Sequence, residues 1–139
     1  MISRHAQIIR DSYVHVLFEP DEAARVFYER LFELAPETRA LFSNDLTIQR
    51  KSLIEALTKI VSGLSRPEAM APTLVALARR HVDYGVRDEH YAVVGEALLH
   101  MLRQTVPGYD AVLDLAWREA YATVSEIMIR GTKPVATAD

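Results

Sequence analysis

Three side chains in this sequence have types and settings that invite chemistry. His81 closes the stretch LVALARRH (74–81), one helical turn after Leu77 and two after Leu74, on the apolar side of the pattern. A neutral imidazole there can ligate a metal centre. A half-buried histidine satisfied by one hydrogen bond fits the spacing at least as well, because a single histidine is no metal site. His5, His15, His90 and His100 form no zinc-like cluster in sequence, and a tetrahedral zinc site needs three or four converging ligands. Tyr28 falls on the inward face of a second helical stretch. A core ring with its hydroxyl on a backbone carbonyl explains it without any ligand. Gln49 lies near the start of a later helix, where a solvated surface glutamine is the plain alternative. The sequence has no HExxH, Walker loop, GxGxxG or GxSxG motif, so zinc proteolysis, nucleotide binding and serine hydrolysis find no support.

Composition narrows the field further. The 139 residues are half hydrophobic and carry a formal net charge of -3. That length fits one domain, expected over 1–139, with enough apolar surface for a core that also encloses a cofactor. The acidic balance argues against a general nucleic-acid binder, which needs a basic face, and against electrostatic docking on anionic membranes. No cysteine is present, which excludes disulfides, thiolate metal sites, cysteine nucleophiles and thioether-linked cofactors. Charges interrupt the N-terminal stretch before it becomes a signal peptide, and no window is apolar enough to span a bilayer. The expected compartment is the cytoplasm.

The elements that must position these side chains are helical. Helical periodicity dominates and no stretch sustains period-two alternation, so the fold class is all-α. A first helix is expected over about 3–18. A second is capped by Asp21 and runs to about residue 35, where Pro36 begins a short turn leading to Phe42. Asp45 or Thr47 caps the next helix, which carries Leu53, Leu57, Ile60 and Val61 and stops near 63–67. Pro72 is expected to open the helix of Leu74, Leu77 and His81, and Tyr84-Gly85 to close it. Asp88 caps a long helix through Val94 and Leu102, ended by Pro107-Gly108. A last helix covers about 110–130, and 131–139 reads as a disordered tail. The two long final helices are expected to form an antiparallel central pair.

Four segments, taken in order, resemble a known family. ARRHVDYGVRDEHYAVVGEALLHML (78–102) is similar to the proximal stretch of bacterial haemoglobins and of flavohaemoglobin globin domains. FYERLFELAPETRALF (27–42) is similar to their second helix and following corner, IQRKSL (48–53) to their distal helix, and LAWREAYATVSEIM (115–128) to their last helix. The resemblance implies a globin fold, about seven helices around a haem pocket, holding haem b non-covalently. It implies His81 as the proximal iron ligand and Phe42 as the wedge against the haem. Tyr28 and Gln49 become donors to a distal gas ligand, with Leu53 as the apolar wall. Leu77, Arg80, Tyr91 and Val94 become further haem contacts, Tyr91 packing behind His81. Arg79 and Arg80 can reach the haem propionates, as can Arg50 and Lys51, or can stay on solvated faces. Family members often pair that tyrosine with a glutamate in the last helix. Here ungapped alignment from Tyr121 puts Thr132 at the position, and Glu126 lies on another face. Peroxidase-like proximal chemistry is therefore not expected, and a backbone carbonyl near Leu77 is the expected partner of the His81 ring.

The function that follows is reversible binding of oxygen, and of nitric oxide or carbon monoxide, with slow release governed by Tyr28 and Gln49. One alternative is nitric oxide dioxygenase activity with a separate reductase, since the sequence ends shortly after the last globin helix. Another is a six-coordinate redox or sensor globin, with Tyr28, Gln49 or Lys51 moving onto the iron. A helical interaction module with an empty pocket is the non-haem reading. The expected partners are a diatomic gas and a reductase, with no nucleic acid or membrane, and the expected state is a monomer or weak homodimer.

Overall fold

Prolines and short polar side chains set the helix boundaries in the computed structural model, which describes residues 2–133. Among the described residues there are six α-helices, one 3₁₀ helix and no strand. They are α1 (Ile2–Phe18), α2 (Pro20–Leu34), the 3₁₀ helix Pro36–Leu41, α3 (Thr47–Gly63), α4 (Pro67–Asp83), α5 (His90–Thr105) and α6 (Ala111–Gly131). The expected all-α class holds. Gly131 closes α6, and residues 134–139 of the expected tail lie outside the described residues.

Several boundaries differ from the sequence-based expectation for local reasons. The break between the first two helices falls at Glu19, and Pro20 opens α2, because a first-turn N–H has no helical partner to lose. Asp21 consequently lies inside the first turn and pairs with Arg50 instead of capping. Pro67 plays the same opening role in α4, and Pro72 falls within that helix, not at its start. Asp88 does not cap α5; its carboxylate pairs with Lys133, and the His90 ring accepts the Arg87 N–H at 2.9 Å. The N-cap of α3 is Leu46, one residue after the expected Asp45, and the N-cap of α6 is Asp110. Asp45 accepts the Thr47 N–H at 2.9 Å before α3, and Asp110 accepts the Leu113 N–H at 2.9 Å before α6.

Packing departs from the expected central pair. α5 lies most extensively against α2, while α6 carries α1 and α4. Small residues permit close crossings. A Cβ on Gly95 of α5 would stand 2.7 Å from Cε2 of Tyr121, and one on Gly131 of α6 would stand 2.6 Å from Cγ2 of Val75. Buried polar groups inside the core are matched: Trp117 Nε1 donates to Ser12 Oγ at 3.0 Å, and the Tyr13 hydroxyl meets Thr58 Oγ1 at 2.9 Å. No helix among the described residues is long and apolar enough to cross a membrane.

The Gly95 crossing is testable. The facing ring cannot swing away freely, because the Tyr121 hydroxyl donates to the Tyr91 carbonyl at 2.6 Å. Gly95→Ala should lower stability by about 1 kcal/mol, the middle of the range left when alanine's helix-propensity gain of about 1 kcal/mol is set against overpacking of about 1–3 kcal/mol. Chemical denaturation measures this, and an unchanged or raised midpoint would show that the ring yields.

Candidate functional site

Tyr28 reaches its position because α2 turns one face inward, burying Ala24, Phe27, Tyr28 and Leu31 at helical spacing. Only 5% of Tyr28 is exposed. Its hydroxyl accepts a hydrogen bond from Gln49 Nε2 at 3.2 Å. Among the described residues the hydroxyl donates to no protein acceptor, so its own proton is uncommitted. Burial is the main cause that pushes the Tyr28 pKa up to about 12, and the Gln49 bond opposes it. The phenol therefore stays neutral across the physiological range and remains a donor.

Gln49 is held by the helix that carries it. One residue on, Arg50 Nε donates to Asp21 Oδ1 at 2.8 Å, tying the start of α3 to the start of α2. Arg50 is thereby engaged through Nε. Lys51 is exposed, and Leu53, one turn after Gln49, is half-buried and packs against the core.

The corner between the 3₁₀ helix and α3 places Phe42 beside Tyr28. Their ring centroids lie 5.5 Å apart at a steep 72°, an edge-to-face pair. Phe32, which no sequence pattern singled out, joins them, 5.9 Å from Tyr28 and 5.7 Å from Phe42.

His81 lies on α4. Its Nδ1–H donates to the Leu77 carbonyl at 2.8 Å, so the ring presents Nε2 with a free lone pair. Burial holds its pKa below the ordinary histidine value, against the opposing effect of the Leu77 bond, and nearby Arg80 lowers it further. The imidazole is therefore neutral, the form that binds a metal. Leu77 and Val94 are half-buried members of the core margin. Tyr91 is half-buried too, and burial with the nearby Asp88 carboxylate raises its pKa. What ties Tyr91 down is its backbone carbonyl, which accepts the Tyr121 hydroxyl. Arg79 and Arg80 are exposed and make no ion pair among the described residues. Thr132 Oγ1 turns back to the Ile129 carbonyl at 2.8 Å, and Glu126 pairs with Arg130 at 3.8 Å. Neither reaches the His81 ring nitrogen that Leu77 occupies.

The chemistry of this set fits a haem better than a bare ion. Among the described residues no group of three or more His, Asp or Glu side chains converges to hold a metal. Instead there is one neutral imidazole, one buried phenol–amide pair, and a margin of apolar side chains that remain only partly buried. Phe42, Leu46, Leu53, Leu57, Leu77 and Val94, from four separate stretches of chain, are among them. An open depression of about 820 Å³ at the α5–α6 corner holds none of these residues; it is lined by 103–111 and Asp114, where Arg103 and Arg118 pair with Asp114.

Comparison with known proteins shows the family. The family model for globins matches residues 25–128. A flavohemoprotein of Bordetella parapertussis is 32% identical over 135 residues, covering 93% of this chain and 33% of that protein. The chain thus spans about a third of the length of the flavohemoproteins it matches. A neuroglobin of Danio rerio is 32% identical, covering 89% of this chain and 87% of that protein. A bacterial globin structure from Campylobacter jejuni superposes with a TM-score of 0.81 at 27% identity, covering 92% of this chain and 94% of that one.

The protonation of Tyr28 gives a direct check. In a spectrophotometric titration of the folded protein, taken to one unit below its pKa of about 12, Tyr28→Phe should leave the tyrosinate absorbance gained unchanged. Loss of one tyrosinate's worth of signal would show the hydroxyl to be solvated and its donor character weaker than stated.

Proposed function

Because the chain belongs to the globin family, we propose that it holds one haem b non-covalently through His81 and binds a diatomic gas reversibly beside Tyr28 and Gln49. The observation that carries the distal half of this reading is the Tyr28–Gln49 pair, a buried hydroxyl that accepts an amide proton and keeps its own proton uncommitted. Haem supplies an iron at which oxygen, nitric oxide or carbon monoxide binds. His81 Nε2 is the ligand on one side, its ring orientation fixed by the Leu77 carbonyl. Phe42, Leu53, Leu77, Val94 and Tyr91 wall the pocket and exclude water. Arg80, exposed and without an ion-pair partner among the described residues, is free to meet a propionate carboxylate.

On the ligand side Tyr28 donates its O–H and Gln49 the second N–H of its amide, the first being committed to Tyr28. A gas that carries partial negative charge is stabilised by about 1–3 kcal/mol per donor in such a dry setting. At about 1.4 kcal/mol per tenfold, two donors slow release by one to a few decades. The pair therefore favours oxygen held tightly over oxygen delivered quickly. A neutral carbonyl behind His81, where a carboxylate would push electron density toward the iron, favours reversible binding over peroxidase-like chemistry.

A second reading, nitric oxide dioxygenase activity, draws on the relatives. Flavohemoproteins by name join a flavin to a haem, which supports a flavin-bearing reductase as the partner of this chain. The two readings share the distal pair and differ in whether the protein turns over.

Titration with haem, followed by absorption in the ferric, ferrous and oxygen-exposed forms, tests the proposal. One haem per chain and a stable oxygen-exposed spectrum are expected. Tyr28→Phe should speed oxygen release by about tenfold, the loss of one hydrogen bond of about 1.4 kcal/mol. Absence of haem uptake, or a release rate that Tyr28→Phe leaves unchanged, would contradict it. Sustained nitric oxide consumption with an added reductase would favour the second reading.

A further inference from the structure

Arg39 stands one turn before Phe42 in the 3₁₀ helix, and its guanidinium is bound up with the corner that follows. Nη1 donates to the Ser43 carbonyl at 2.9 Å and, at a longer 3.4 Å, to the Phe42 carbonyl. Nη2 donates to the Asn44 carbonyl at 3.1 Å. The Phe42 N–H in turn donates to the Arg39 carbonyl at 3.2 Å, so Arg39 grips this residue at both ends. The guanidinium carbon also lies 5.3 Å from the centre of the Phe32 ring, within cation–π range. Among the described residues Arg39 makes no ion pair; its positive charge is answered by three carbonyls and a π face.

This placement connects both halves of the distal site. Phe32, under the guanidinium, touches Tyr28 and Phe42. On the other side the clamped corner leads directly into α3. Ser43 Oγ donates to the Asp45 carbonyl at 2.8 Å, and Asp45 accepts the Thr47 N–H that starts the helix of Gln49. Without the clamp, Ser43, Asn44 and Asp45 form a polar surface loop whose carbonyls face water. A guanidinium suits the task because its planar fork offers several donors in fixed directions and stacks on aromatic rings. A lysine ammonium, a point charge on a flexible stem, does neither as well.

We propose that Arg39 is a positioning residue for the gas-binding site: it clamps the 42–44 corner and the Phe32 ring, and so sets the placement of Phe42, Tyr28 and Gln49 without touching the haem or the ligand itself. The proposal rests on the haem-binding function proposed above and specifies what holds its distal side in register. It separates Arg39 from the other arginines near the site, of which Arg50 is engaged with Asp21 and Arg79 and Arg80 are exposed.

A double-mutant cycle on the haem-loaded protein tests it, with oxygen release as the readout. Arg39→Ala should speed release by about fivefold or more in the wild-type background, but by less than about twofold on top of Tyr28→Phe, because a residue that acts through Tyr28 has little left to act on. An equal acceleration in both backgrounds, or none, would overturn the proposal. Arg39→Lys, which keeps the charge and the stem, is the second variant should Arg39→Ala fail to fold. It should show the same non-additivity and shift the C–O stretching band of the carbon monoxide form; wild-type rates and an unmoved band would overturn the assignment. Hydrogen exchange in the haem-free chain separates this failure from failure of the haem reading. Amides of 42–47 should exchange about tenfold faster in either variant while those of α5 do not, as expected when charge-assisted bonds are lost. Unchanged exchange there would show that no clamp exists, whatever the chain binds.

Discussion

The bond between the His81 ring and the Leu77 carbonyl is the constraint on which the proposed proximal side depends. It fixes which nitrogen carries the proton and hence which one is offered outward. It also requires α4 to be regular over 77–81, because donor and acceptor are one turn apart. The helix is anchored for that purpose by Leu74 and Ala78, both fully buried on the turns beside it. It rests against α6, where Gly131 admits Val75 at a distance no side chain would allow. It ends where Gly85 takes a φ of 95°, a conformation most residues avoid, and so turns the chain toward α5. A helix stop, a small residue on another helix and two core side chains thus serve one ring orientation.

The distal side is organised differently, by links between elements. Arg50 with Asp21 and Gln49 with Tyr28 join α3 to α2 at two levels. The aromatic group of Phe32, Phe42 and Tyr28 joins α2 to the corner. Since α2 also makes the most extensive contact with α5, the phenol stands on the most firmly packed helix, and Gln49 is brought to it from a helix that packs more lightly. The proposed gas-binding pocket draws its donors from this arrangement and its single imidazole from α4.

Much of this was legible in residue patterns. The apolar stripe of LVALARRH put His81 inward, and Pro36 and Gly85 marked real breaks. Tyr28 and Gln49 could be named from family resemblance, but periodicity alone left each with an ordinary structural explanation. Boundaries were misjudged where a residue had two possible uses. Asp21 and Asp88 are good capping types, yet each found a cation from a distant segment, Arg50 and Lys133. Pro72 could have opened a helix, but Pro67 did so first. The pairing of α5 with α2 over α6 was hidden because helix length says nothing about which partner a face meets. Arg39 was missed for a related reason: its partners are backbone carbonyls, which carry no sequence signal.

In the proposed function His81 offers its outer ring nitrogen to a haem iron. His81→Gly reconstituted with haem, with and without free imidazole, tests it most directly. The glycine variant should lose the wild-type ferrous spectrum and recover it when imidazole fills the vacated place. A glycine variant whose spectrum matches wild type without imidazole would contradict it, because another group would then hold the iron.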